Sequence, residues 1–527
     1  MRSLPLSGGL AALLALGGCS LIYDAGGFTA SDSAPGPPDA RPIDAQIDDA
    51  DINGLTITGT EPVDLAEGSG CMTLAGGPCT LLARAIPIVV NGGNIDRSAI
   101  VELDGAGFVQ DTVPASVSED HNQLAIAVRI PPDLGLAAGE STTLTITVFQ
   151  GTVSEQTDVT VAGLDDFVAS VDAAGGTLDI DATPLDARYA TIDIDADIRF
   201  TGSEPVRLTA TSAITVGAAV DVSGFDGEDG TAGLGGPGGC RGGVAVGAGQ
   251  CTDGGGKGGG TNSGGGGGGN RIAGDMGIGN MGGDPGAGVG DETLAPLGDT
   301  GVRGNGGGGG GNGSISGAGG TGGGGGGTLV LTSAGDLFFE TGAELHADGG
   351  GGSSGGGTCL LGQHGGAGGG GSGGAILIRA QANFVDGGSS ATVAAGLAGD
   401  AGNGTGCNDG GAGAPGRVRI DLPSADADPA LVGGTSAFRG VVIDPALPPV
   451  VVEAEVQVGV FGAPNQTYKI QVEGSAAQDV TTLSDRTGSA TLTLDPGQNR
   501  ICVLVNGNVT ASSDEGAQCV TIAFMPP

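Results

Sequence analysis

The chain of 527 residues contains no tryptophan, 3 tyrosines and 12 phenylalanines. A core built on large aromatic rings is therefore excluded, and scarce aromatics count against a saccharide site that stacks sugars on Trp or Tyr. Basic residues are few: 19 Lys and Arg stand against 59 Asp and Glu, a formal net charge of −40. Nucleic acid is excluded as a partner, because phosphate contacts need basic patches. The charge favours solubility and is compatible with divalent cations. No CxxC spacing occurs, so a zinc site is not expected. The apolar run from Leu10 to Leu16 is too short to span a bilayer as a helix.

Glycine is abundant instead, at 115 residues, far above the usual share of about 7%. Glycine costs a helix interior about 1 kcal/mol per residue. The remaining Val, Ile, Leu and Thr fall in short alternating runs, which predicts an all-β chain. The first 18 residues have a positive Arg2, a short apolar core and small residues leading into Cys19, the pattern of a cleaved export signal. Residues 19–52 mix Pro, Ala and Asp with little apolar content and read as a disordered tether. Setting Cys19 aside leaves an even number of the 9 cysteines, which in an exported chain suggests disulfides. Their placement suggests local pairs: Cys71 with Cys79, Cys240 with Cys251, Cys359 with Cys407, and Cys502 with Cys519.

Leu16-Gly17-Gly18-Cys19 resembles the lipobox of bacterial lipoproteins. The resemblance implies cleavage before Cys19 and lipidation of that residue. Ser20, rather than Asp, follows it, which in this family favours the outer membrane or cell surface of a diderm envelope. Residues 53–165 read as one sandwich of alternating strands. Gly92-Gly93-Asn94, Gly105-Ala106-Gly107-Phe108 and Ile130-Pro131 resemble the TIG family of immunoglobulin-like domains, although the insertion holding Cys71 and Cys79 departs from it. The resemblance implies a binding or spacer module without catalytic residues.

Residues 166–447 carry a diverged repeat, beginning at Val206, Thr328, Ala375 and Arg417. No unit can bury its apolar face alone, so stacking into a right-handed β-solenoid is expected. The region is similar in style to glycine-rich bacterial surface proteins with β-helical bodies. Leu208, Leu329, Leu331, Ile376, Ile378, Val418 and Ile420 are the expected core. Ala190 to Phe200 fits an initial rung, with aspartates outward. Unbroken glycine runs cover 264–269, 306–311 and 322–327, and glycine recurs every third residue from Gly224 to Gly239. Two readings remain open: flexible loops extruded from the solenoid, or extended polyglycine helices packed backbone to backbone. Residues 448–527 read as a second immunoglobulin-like sandwich, with a strand across 450–462 and with Tyr468 and Phe461 in its core.

Residues with chemistry are sparse. His121, His346 and His364 share no motif, and Gly370-Gly371-Ser372-Gly373-Gly374 matches a nucleophile elbow only by glycine content. Lys257 lacks the Ser or Thr of a phosphate loop. Asp179, Asp181, Asp193, Asp195 and Asp197 could form acidic ladders, so structural calcium is the one cofactor the pattern allows. Arg188 and Arg199 lie near them, as catalytic bases do in β-helical polysaccharide lyases. The expectation is a lipid-anchored cell-surface protein with a structural or adhesive, non-catalytic role. Its partners would be the membrane through the anchor, and envelope or extracellular polysaccharide or a surface protein. The alternatives are a polysaccharide-active enzyme and a carbohydrate-binding module.

Overall fold

The computed structural model describes residues 54–526 except 63, 67–84, 106–107, 111–115, 131–133, 135, 138, 171–177, 183–187, 252–254, 271, 289–306, 309–316, 357–363, 402–407, 425–436 and 505–517. All of them belong to one compact unit, Ala50–Pro527. Among the described residues the protein is all-β, with several sheets and no α-helix. The proposed signal and tether, Cys19, and Cys71, Cys79, Cys359 and Cys407 lie outside the described residues.

The first region has two sheets. One orders Thr56–Glu61, Ile86–Gly93, Gln123–Arg129 and Val109–Gln110, with Ser116–Val117 also on Gln123–Arg129. The other orders Asp64–Ala66, Val153–Ala162, Ser141–Gln150 and Ile100–Asp104. A shared core contains Ile88, Leu124, Ile126, Leu144, Ile146 and Val159. In Gln123–Arg129 the large residues serve this core. The alternate Ala125 and Ala127 are also buried, because they meet Val450, Ala523 and Met525 of the last region. Small residues on that face let the two regions approach closely.

The central region repeats one course. In the middle passes, strands of one parallel sheet are followed by a strand of a second (Ala219–Asp221, Glu344–His346 or Ser390–Thr392) and then by a glycine-rich segment. The two earlier passes are joined by short segments that are not glycine-rich, and among the described residues Arg417–Asp421 and Ala437–Arg439 have no counterpart in the second sheet. The first sheet orders Phe167–Ala169, Arg188–Ile194, Val206–Val216, Thr328–Ser333, Ala375–Ala380, Arg417–Asp421 and Ala437–Arg439. The second orders Leu178–Asp181, Ile198–Thr201, Ala219–Asp221, Glu344–His346 and Ser390–Thr392. Register stacks apolar residues in rows: Val206, Leu329, Ile376 and Val418 in one, and Leu208, Leu331, Ile378 and Ile420 in the next. All are buried between the sheets, with Ile192, Ile194, Ile198 and Phe200 from the initial pass. Asp195 and Asp197 point outward, as period-2 alternation requires.

The glycine-rich segments pack as an ordered array. Residues 263–270, 321–327 and 364–374 are buried throughout. Amides of Gly320, Gly323 and Gly326 donate to carbonyls of Gly366, Gly369 and Ser372, at 2.8, 3.0 and 2.8 Å. Gly322 and Gly325 donate instead to Gly243 and Cys240, and Gly324 and Gly327 to Phe225 and Val222. Every third residue therefore faces the same neighbour, which is the period of the polyproline II conformation. Gly264–Asn270 and Gly365–Gly374 are likewise bonded on several sides. None of these tract glycines has positive φ, so the need for glycine is steric. At Gly322, Gly323, Gly324, Gly368 and Gly371 a Cβ would overlap a carbonyl of the adjoining segment. For the described tracts, packing replaces the flexible-loop reading, because interlocked amides supply the cohesion that side chains cannot. Of 306–311, only Gly307 and Gly308 are described, and both are hydrogen-bonded to the array.

The last region has a sheet of Val442–Ile443, Glu455–Phe461 and Thr487–Thr493, and a sheet ordering Val450–Val451, Gln518–Phe524, Gly497–Leu504, Thr467–Val472 and Gln478–Thr481. Its core takes in Val441, Ile443 and Leu447, ahead of residue 448. The run 450–462 is two strands in different sheets, broken by the bend at 452–454. Tyr468 is in the core, and its hydroxyl accepts the Ala463 amide at 2.8 Å. Phe461 is only half-buried.

Candidate functional site

The outer face of the second parallel sheet brings several chemistry-bearing side chains into one row. Parallel pairing sets Asp179 opposite Arg199, Arg199 opposite Asp221, Asp221 opposite His346, and His346 opposite Thr392. Adjacent strands repeat at about 4.8 Å, so the row runs across the strands with one polar group per pass. Arg199 lies 3.5 Å from Asp221 and stacks over the Phe225 ring, 4.0 Å from its centroid. His346 is held from two sides, with Nδ1 2.8 Å from Thr392 Oγ1 and Nε2 3.0 Å from Glu344 Oε2. Thr392 donates to Asp348 at 3.0 Å. The row is a mixed one of acids, bases and hydroxyls, already linked internally.

The expected acidic ladders do not form across these strands. Register places Arg199 beside Asp179, Thr201 beside Asp181 and Thr215 beside Asp193. Asp197 accepts the Ala219 amide at 3.0 Å. Burial, then the charge of Asp195, pushes the Asp193 carboxyl up. Among the described residues no group of three or more His, Cys, Asp or Glu is placed to hold a metal ion. Arg188 and Arg199 lie on different sheets. Arg188 is partly buried, which pushes its guanidinium down.

The three histidines lie apart, one in the first region and two at different places in the central one. His121 sits in a turn of the first region at φ 58°, its Nδ1 2.8 Å from Ile95 O. His346 belongs to the polar row. His364 is buried in the glycine array. Ser372 is buried within a central tract and presents no nucleophile elbow to solvent. Lys257 pairs with Asp284 at 2.8 Å on the surface. Cys240 pairs with Cys251, and Cys502 with Cys519, at Cα separations of 6.0 and 4.0 Å.

One charged cluster escaped the sequence reading. Asp421 Oδ1 accepts Arg419 Nε at 2.6 Å, and Asp421 Oδ2 accepts Arg419 Nη2 at 2.8 Å and Arg379 Nη2 at 2.9 Å. Arg419 and Asp421 are fully buried. They sit on the outer face of the first parallel sheet, under the last region: Gln518 donates to Gln381 at 2.6 Å, and their charges reach Tyr468. The strand Arg-Val-Arg-Ile-Asp alternates like a half-exposed strand, so nothing local signals that its polar face is covered. One carboxylate holding two guanidinium groups ties the adjacent strands Ala375–Ala380 and Arg417–Asp421 together.

No protein-family model matches the chain, and no curated protein matches it significantly.

Proposed function

We propose that the chain is a lipid-anchored cell-surface protein with a structural or adhesive, non-catalytic role. In this reading Cys19 is the lipidated first residue, residues 20–52 are the tether, and the parallel-stacked centre is a β-solenoid flanked by two immunoglobulin-like sandwiches. The observation that carries it is the glycine array. A long stretch of chain is spent on a hydrogen-bonded body whose buried positions are mostly glycine. The export signal and the Cys240–Cys251 and Cys502–Cys519 pairs support an oxidising, extracytoplasmic setting. The test is Cys19→Ser in the native host, with a fatty-acid analogue fed to the cells. The variant should lose label and leave the membrane fraction or stay as precursor, and unchanged labelling would reject the anchor.

A second reading, a polysaccharide-active enzyme, is favoured by one observation: the row of Asp179, Arg199, Asp221 and His346 on a solvent-facing sheet. Incubation with a panel of acidic and neutral polysaccharides separates the two. Cleavage that Arg199→Ala abolishes would put the enzyme first.

A further inference from the structure

Among the described residues the last strand of the second parallel sheet, Ser390–Thr392, pairs on one side alone, with Glu344–His346 of the pass before it. It is 3 residues long and has few ladder bonds to hold its place. A chain of side chains joins the same two passes. His346 Nε2 lies 3.0 Å from Glu344 Oε2, and His346 Nδ1 lies 2.8 Å from Thr392 Oγ1. The Thr392 hydroxyl then donates to Asp348 Oδ2 at 3.0 Å, and the other oxygen of Asp348 accepts the Ala394 amide.

Counting protons fixes the state of the ring. A hydroxyl has one proton to give, and Thr392 gives it to Asp348. Its oxygen therefore accepts from Nδ1. Glu344 presents a carboxylate, which when ionised accepts and does not donate. Both ring nitrogens thus face acceptors, and only the imidazolium, with an N–H on each nitrogen, satisfies both. A neutral ring has a single proton to place. On Nδ1, it leaves the Nε2 lone pair against the Glu344 carboxylate. On Nε2, it requires Thr392 to turn its proton from Asp348 to Nδ1. Either way one bond of the chain is lost.

The charges around the ring act in the same sense. Asp348 Oδ2 is 4.0 Å from Nδ1. Asp221 stands opposite His346 on the preceding pass, with Arg199 behind it at 3.5 Å. Glu344 is on the ring's own strand, and the neutral Ser390 and Thr392 face it from the last strand. Carboxylates outnumber the one guanidinium.

We infer that His346 is a proton-operated clasp between the last two passes of the second sheet. Protonated, the ring joins Glu344 to the Thr392–Asp348 pair and holds the edge strand in place. Deprotonated, it releases one side. The unfolded chain offers neither bond, so the clasp contributes stability that is whole below about 6.5, the ordinary value of a free histidine, and is lost as pH rises. Its ends are partly exposed, so the gain is that of a surface contact. The device needs neither the lipid anchor nor catalysis, and goes beyond both functional readings.

The test is hydrogen exchange on the full chain at about pH 5.5 and about pH 8, each rate taken relative to its intrinsic value. The amides of Ser390, Ala347 and Ala394 donate to Ala343 O, Thr392 O and Asp348 Oδ1 and report the clasp. Their protection should fall about threefold between the two conditions, while Gly323 and Gly326 in the array stay level. His346→Gln should remove the fall. Glu344→Gln should remove it too, because an amide side chain accepts from a protonated Nε2 and donates to a neutral one. Glu344 is exposed, so this variant leaves the core intact. In the wild type, the midpoint of the fall should coincide with titration of the His346 ring followed by NMR. Level protection in the wild type, an undiminished fall in His346→Gln, or two separate midpoints would overturn the inference.

Discussion

Substituting Gly324 with alanine isolates the physics of the array. Gly324 has no positive φ, so alanine adopts its backbone without conformational strain. By its effect on the unfolded chain alone, the change should stabilise by about 0.4–1 kcal/mol. The new Cβ, however, would overlap the Leu234 carbonyl, which is backbone and cannot swing aside. Overpacking costs about 1–3 kcal/mol. Separating the segments also weakens two hydrogen bonds, Gly324 to Phe225 at 2.9 Å and Gly350 to Gly324 at 2.8 Å, each worth about 1 kcal/mol. The net expectation is a loss of about 2–4 kcal/mol. Gly342 is the control: its φ is +91° and nothing lies within 4 Å of a Cβ there. Alanine at 342 bears only the left-handed cost of about 1–2 kcal/mol, offset by the same unfolded-state gain. Hydrogen exchange at the amides of 320–327 reads local opening directly. Gly324→Ala should speed it by roughly a hundredfold, since about 1.4 kcal/mol is a factor of ten, and Gly342→Ala should leave those amides nearly unchanged. Fast exchange in the parent protein, or equal behaviour of the two variants, would refute the packed array.

Leu331→Ala, between Leu208 and Ile378 in a fully buried row, should cost about 2–5 kcal/mol in thermal unfolding. Asp421→Asn leaves two buried guanidinium groups without their carboxylate and should cost about 3–5 kcal/mol in thermal unfolding; an unchanged midpoint would remove the pairing from the account of stability. The Ser118 hydroxyl, then Asn122, holds the Asp120 carboxyl below its ordinary value. A depressed carboxyl contributes stability above its unfolded pKa of about 3.9 and loses it as pH falls through the lower folded value. Titration by NMR should therefore place its midpoint below the unfolded value, and Ser118→Ala should move it upward.

Period-2 alternation carried most of the strand reading. The row Leu208, Leu331, Ile378 and Ile420 was legible because apolar side chains every second residue can be satisfied only by a covered sheet face. Errors came where a local rule met a tertiary one. The run 450–462 alternates across its whole length, yet the bend at 452–454 sends its halves to different sheets. Phe461 alternates inward by pattern and is left half-buried. In the polar row, the one-dimensional spacing of aspartates suggested acid beside acid, while the lateral partner of each depends on register between passes far apart in sequence.

The sequence by itself determined the all-β character, the rows of the central core and the steric possibility of close glycine packing, because these follow from side-chain size and alternation along short windows. Tertiary structure decided what lies beside what. It buried Arg419 and Asp421 under the last region, set Arg199 between Asp179 and Asp221, and interlocked glycine tracts that are distant along the chain. A glycine run has no side chains with which to announce a partner. Its amides and carbonyls are the same in a loose loop and in a packed segment, and only neighbours at hydrogen-bonding distance distinguish the two.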